Sequence, residues 1–453
     1  TYDGEIYTQR PGSNPQKVRI DLIRDDQEQI ADLNSSKGAT SATVSPDGKQ
    51  IAFTLRGEVF VTSADYNTTK QITHTPAAET GICFSPDNRT LAYASERGGN
   101  WQLYLAKIAR KEEANFPNAT IIEEEVLLPS KTVERNYPQF SPDGKELAFI
   151  EDRMRLMVVN LETKKVRQVT DGSTWYSTAG GFDYSWSPDG KWFTLRFIGN
   201  KHDPYSDIGL VSAQGGEITN LTNSGYTSTS PQWVLDGNAI LFTTERYGMR
   251  AHASWGSLND AMLVFMNQDA YDKFRLSKED YELQKELEKE QKEVKADGKK
   301  DEKPKDIVVE LKGIQDRILR LTPNSSEMGS AVISKNGETL YYFSAFEDKY
   351  DLWKMDLRKK ETKLLHKMNT GWANMEMDKE GKNLFLLGSN SMQKMDMGSE
   401  KLTPIHYQAN LKMDLAAERE YMFDHVYKQE QKRFYNVNMH GVNWDAMTAA
   451  YRK

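Results

Sequence analysis

Short apolar runs recur along the whole chain between polar turns, and they recur as a fixed unit. The sharpest marks are the turns Ser45-Pro46-Asp47-Gly48, Ser85-Pro86-Asp87-Asn88, Ser141-Pro142-Asp143-Gly144 and Ser187-Pro188-Asp189-Gly190. Weaker copies stand at Leu235-Asp236-Gly237-Asn238, Ser334-Lys335-Asn336-Gly337 and Asp378-Lys379-Glu380-Gly381. Proline presets φ at the second turn position, and Gly or Asn accepts the left-handed conformation that sends the chain back antiparallel. Each turn is followed by a run such as Ile51-Ala52-Phe53, Leu147-Ala148-Phe149 or Leu384-Phe385-Leu386, apolar at successive positions, which predicts a strand covered on both faces. A third run follows, as in Val59-Phe60-Val61 or Leu103-Tyr104-Leu105, and the unit closes on segments with a terminal threonine: Ile72-Thr73, Val169-Thr170, Leu221-Thr222 and Leu321-Thr322.

Four short strands in a period of roughly 40 to 50 residues describe a β-propeller blade. The pattern predicts an all-β, seven-bladed propeller over residues 38–407. Turn-to-turn steps are 40, 56, 46, 47, 100 and 44 residues, so two blades carry insertions. The first, around 109–129, contains the acidic run Glu123-Glu124-Glu125 and reads as a solvated loop. The second, 277–306 in blade five, alternates charges of both signs behind Ser277 as an N-cap and predicts an exposed charged helix followed by a flexible stretch. Its spacing pairs Glu288 with Lys292 and sets Lys285 against Lys289, so charge support is mixed. A surface helix and a lid or docking arm over the rim are both open for it.

Residues 1–30 resemble the late strands of another blade, through Ile6-Tyr7-Thr8 and Lys17-Val18-Arg19, and predict the end of a preceding propeller with its linker. The other reading is a half-blade that closes this ring. From Ala416 the strand pattern stops. Met422, Phe423, Val426, Tyr427 and Phe434 share one helical face, which predicts a C-terminal helical extension over 416–453 that packs on something.

Net charge is −7 without a basic stripe, which argues against a nucleic-acid partner. No apolar run is long enough to span a membrane as a helix. The single cysteine, Cys83, excludes an internal disulfide and is expected to be a buried, inert thiol. No Gly-x-Ser-x-Gly elbow, His-Glu-x-x-His pair, Walker loop or paired-cysteine motif occurs, and the 7 histidines are scattered, so no catalytic, cofactor-binding or metal-binding residue is assigned. His202 and Asp207 near Pro204 read as a turn rather than a cation site, and His252 has no partner at ligand spacing.

The segment Met422-Phe423-Asp424, Tyr427, Phe434-Tyr435 and Met439-His440-Gly441-Val442-Asn443-Trp444-Asp445 behind a propeller resembles the tricorn-type serine proteases. Asn436 and Asn443 depart from the family pattern, where Asp is usual. The resemblance implies a six-bladed propeller before this one and catalytic halves after it, holding a serine nucleophile and its histidine beyond Lys453. His440 is not that histidine, which belongs to a Ser-His pair absent here. The resemblance further implies peptide substrates, catalytic domains on the same polypeptide, a homo-oligomer, no cofactor, and a cytoplasmic location, with the periplasm as alternative. By that analogy the chain is a substrate-gating propeller, inactive alone. The rival readings are a prolyl-oligopeptidase-like enzyme, which lacks its nucleophile elbow here, and a non-catalytic peptide- or protein-binding propeller scaffold. Alternate residues of each blade's first strand are expected to face the axial channel: Thr43, Gln139, Tyr184, Trp186, Gln232 and Asn374. An open channel and a plugged axis both fit.

Overall fold

The computed structural model describes residues 6–20, 29–176, 180–199, 203–250, 256–294, 306–371 and 373–452. Among them are seven four-stranded antiparallel sheets, each built from four consecutive strands. The blades span residues 41–71, 79–127, 135–168, 184–220, 228–320, 327–370 and 373–405. The seven-bladed propeller expected from the repeats is the observed fold. No blade borrows a strand from the other end of the chain. Instead Ile30–Ser35 pairs with Ala409–Asp414 in a separate two-stranded sheet beside the seam of blades one and seven. Tyr7–Thr8 and Gln16–Lys17 pair with each other.

The repeated serine explains the regularity of the turns. Ser45 Oγ donates to Asp47 Oδ1 at 2.7 Å and accepts from Gln50 N at 2.9 Å, tying the turn's start to the next strand. Ser141 and Ser187 repeat both bonds, and Ser334 does so with Asn336 in place of Asp. Gly48, Gly144, Gly190, Gly337 and Gly381 lie at φ of 69 to 73°, as the turn chemistry requires.

The terminal threonines also have a purpose. Thr73, Thr170, Thr222 and Thr322 accept from the backbone N–H of Val59, Leu156, Ile208 and Ala261, fastening the fourth strand to the start of the third. In blades four and five the same hydroxyls donate to buried carboxylates, Thr222 to Asp207 at 2.6 Å and Thr322 to Asp260 at 2.8 Å. Asp207 also accepts from Asn220 Nδ2 and Ser224 N, so it holds its turn together. Replacing Thr222 by Val removes one of the three bonds to Asp207 and the side-chain acceptor of the Ile208 N–H. The expected cost is about 2–3 kcal/mol, read as a lower urea midpoint.

There is no single core. Seven apolar clusters each lie between two neighbouring blades: Val59 and Val61 against Leu91 and Tyr93, for example, or Tyr341 and Phe343 against Leu384 and Leu386. Both faces of every sheet are therefore covered, which is why the second strands are apolar at successive positions. Cys83 packs between blades two and three, where burial pushes its thiol up to about 12 and keeps it protonated.

The first insertion adds a short 3-10 turn, Phe116–Asn118, before the strand Ile122–Leu127. The acidic run is part of that outer strand rather than a loop, and Glu124 is held by both amino groups of Arg97. The blade-five insertion forms two helices, α1 (Gln268–Arg275) and α2 (Lys278–Val294). Ser277 caps α2 as expected, accepting from Asp280 N at 3.1 Å. α1 carried no charge signature and was not anticipated; its Phe274 and Tyr271 pack against Phe265. Lys285 pairs with Glu338 and the Arg358 guanidinium lies over the Tyr281 ring, so α2 is fastened to blade six at two points. The side chains of Glu288, Lys289 and Lys292, and with them the pairings expected there, lie outside what the structure describes, as do the flexible stretch, His202 and His252. After the propeller come α3 (Leu415–Arg433) and α4 (Trp444–Tyr451). No described helix is long and apolar enough to cross a membrane.

Candidate functional site

The first strands surround the axis, and their side chains differ from the sequence expectation in one respect. Tyr184 and Trp186 are only 5% and 7% exposed and belong to the cluster between blades three and four. A strand's side chains project from its faces, and here both faces meet neighbouring blades, so the edge of the inner strand turns toward the channel. These two aromatics act on that edge. Tyr184 donates its hydroxyl to the Tyr137 carbonyl, and Trp186 Nε1 donates to Gln139 O at 3.2 Å. Gln139 Nε2 donates in return to Tyr184 O at 2.9 Å, and Trp233 Nε1 to Ser185 O at 3.3 Å. A strand edge with free carbonyls would pair with any extended peptide, and these bonds blunt it. Gln139 and Gln232 are half-buried on the same strands. Thr43 and Asn374 meet at the seam of blades one and seven, where both donate to Glu376 at 2.9 Å. Glu376 also accepts from Val44 N at 2.8 Å, and burial raises its carboxyl above the ordinary range.

The start of each inner strand lies at the same face as the turn between the second and third strands, since Ser41 pairs with Thr54 and Glu58 follows at once. At this mouth the inner strands of blades two, three and five carry bulges. The left-handed residues there are Gly81, Tyr137 and Ser230, at φ of 64, 55 and 54°.

Helix α3 lies across the same face. Asp414 caps it, accepting from Ala416 N and Ala417 N. Its contacts with the propeller come from Glu418, Tyr421, His425, Gln429 and Lys432, a spacing that keeps all five on one side of a helix. Glu418 pairs with Arg56 of blade one at 2.7 Å. Tyr421 Oη donates to Glu96 Oε2 of blade two at 2.8 Å, and His425 Nδ1 donates to the same oxygen at 2.5 Å. Gln429 accepts from Arg153 and Lys432 pairs with Glu134, both of blade three. The Glu96 side chain is almost wholly buried, whereas the partners at blades one and three are more open. A cavity of about 380 Å³ remains between Ala77, Gly98 and Gly99 on the rim and Glu420, Asp424 and Lys428 on the helix.

The apolar residues expected to bury this helix do something else. Met422 and Val426 are 60% and 64% exposed and make no core. Phe423 and Tyr427 meet α4: Tyr427 stacks on Trp444 with centroids 5.8 Å apart, and Arg452 lies over Phe423. Asn443 caps α4 through Ala446 N, and Asn436 accepts from Asn438 N, so both departures from Asp keep a capping role. His440 stacks edge-on against Phe434 and bonds Tyr435, with no acidic partner among the described residues.

Under the α3 dock lies a pair of buried carboxylates that sequence reasoning missed. Glu58 begins the third strand of blade one and Glu79 the first strand of blade two. Thr73 donates to both, Thr75 N to Glu58 at 2.6 Å, Thr75 Oγ1 to Glu79 at 3.0 Å, and Ser95 to Glu79 at 2.7 Å. Burial, and then the charge of Glu58, lifts Glu79 to about 7, while Arg97 at 3.4 Å opposes the rise. Burial raises Glu58 in the same direction. Among the described residues no cluster of His, Cys, Asp and Glu has metal-binding geometry.

The fold is therefore that of a seven-bladed propeller with two helices after it, the first of them docked across one face of the ring. Residues 415–453 match the family model of the tricorn protease C1 domain. The chain thus combines a seven-bladed propeller with a C-terminal segment similar to the tricorn protease C1 domain. Its fold aligns with the crystal structure of the tricorn protease over 99% of this chain and 42% of that one, with TM-score 0.68 and 12% identity. The uncharacterized peptidase YuxL of Bacillus subtilis is 33% identical over 115 residues, 23% of this chain and 16% of that protein. The Tol-Pal system protein TolB of Francisella tularensis is 25% identical over 219 residues, 45% of this chain and 46% of TolB. The chain thus spans less than half the length of each of these relatives.

Proposed function

We propose that this chain is the substrate-gating region of a tricorn-like serine peptidase that degrades oligopeptides. Residues 38–407 form the gate, 416–453 open the first catalytic half, and 1–30 end a preceding propeller. The nucleophile and its base lie on other parts of the polypeptide, which assembles as a homo-oligomer. The supporting observation is α3: the C1 segment is fastened to three consecutive blades at the face where the inner strands begin. Peptide leaving the channel there emerges beside the catalytic segment. Thr43, Gln139, Gln232 and Asn374 are the proposed polar wall, and the bonded carbonyls on the inner strands of blades three and four keep a passing peptide from ladder pairing there.

The test is cleavage of fluorogenic peptides of graded length by the full-length protein, with and without a serine-reactive phosphonate. Inhibitable cleavage that falls for folded substrates, with residues 1–453 silent, is expected. Activity in the purified 1–453 chain, or none in the full-length protein, would move the assignment to a binding propeller.

A further inference from the structure

Three bulges stand at equivalent places in the inner strands, and their left-handed residues differ. Blade two has Gly81, which takes φ of 64° without strain, and blade five has the small Ser230. Blade three has Tyr137, a bulky side chain at φ 55°. Such a backbone is sterically unfavourable for a large L-residue and persists only where the surroundings enforce it. Here they do. Pro138 fixes the following residue, the Tyr184 hydroxyl holds the Tyr137 carbonyl, and the Tyr137 ring lies over Gly181, where an added Cβ would come within 2.7 Å of it. Despite this bracing the ring is 42% exposed at the channel mouth, near the end of α3.

We propose that Tyr137 is a specificity-determining residue of the mouth, stacking on apolar side chains and backbone of an unfolded peptide in transit; this rests on the gating reading above. The surroundings favour that ligand. Ladder pairing is blocked because the neighbouring edge carbonyls of blades three and four are already bonded. Arg153 and Arg433 and, with opposite sign, Asp183 stand near enough to act on the Tyr137 hydroxyl, so charges of both signs surround the ring and neither an acidic nor a basic peptide is selected. What the site still offers is an aromatic face.

The test uses residues 1–453, with fluorescence anisotropy of a labelled, Leu- and Phe-containing unfolded peptide and a Gly/Ser peptide of equal length as control. Asn accepts the left-handed region, so Tyr137→Asn is expected to raise the thermal midpoint while weakening binding about fivefold, the effect of one lost aromatic contact. Tyr137→Phe keeps the ring and is expected to bind as the wild type does. A residue of structural importance alone would not combine higher stability with weaker binding. If the wild type binds the apolar peptide and folded Tyr137→Asn binds it equally, the assignment of Tyr137 is overturned and the gate stands. If the wild type binds neither peptide, the assignment of Tyr137 is likewise overturned, while the gate stands or falls by the cleavage test above.

Discussion

At pH 8 the Glu79→Gln variant is expected to unfold at a higher urea concentration than the wild type, and at pH 5 the two midpoints nearly coincide. Glu79 titrates near 7 in the fold against an ordinary 4.5, because burial and the Glu58 charge disfavour its ionised form. Between those values the folded protein keeps a proton that the unfolded chain releases. Stability from this group is therefore complete below the unfolded value and is lost as pH rises through 7. A shift of this size corresponds to about 3 kcal/mol across the window. The glutamine cannot ionise, and its amide can still accept from Ser95 and Thr75. Wild-type and variant curves that run parallel from pH 5 to 8 would sink this account of the seam between blades one and two.

Glu96→Ala is expected to release α3 while leaving the propeller folded. The two bonds that Tyr421 and His425 make to Glu96 are the best-buried contacts of the dock, and α3 has no fully buried side chain to compensate. Losing both should cost about 3 kcal/mol, or roughly a hundredfold faster amide exchange over residues 418–432. Tyr421→Phe removes one bond and should give about a tenfold change. The Arg56 pair at the exposed rim contributes less, since solvent screens it. Unchanged exchange in α3 with Glu96→Ala would mean that some other contact holds the helix.

The blade count, the turns and the threonine latches were legible because they are local: Ser, Pro, Asp and Gly at fixed offsets set φ and the first hydrogen bonds within a few residues. Tyr184 and Trp186 were misplaced because alternation along a strand reports that there are two faces without reporting that both are covered. The helix after the propeller was legible from its period, but its orientation was not. Its apolar side stays partly open, and the side that docks is polar, with bonds to Glu96 and Glu134 whose burial depends on the meeting of separate blades. Glu58 and Glu79 were invisible for the same reason. Nothing near either in sequence announces that residues 21 positions apart will share one hydroxyl.

Because every blade is four consecutive strands and the closing sheet joins residues 30–35 to 409–414, the order of assembly follows the order of synthesis. Each blade can form its hairpins as it leaves the ribosome and pack on the one before. The strand at 30–35 must then wait for almost the whole chain before it finds a partner, and the face of blade one that packs on blade seven stays uncovered until blade seven arrives. Ring closure is thus the late, long-range step of folding, and a chain stopped short of blade seven would leave Phe53 and Phe60 without their Phe385 partner as a sticky surface.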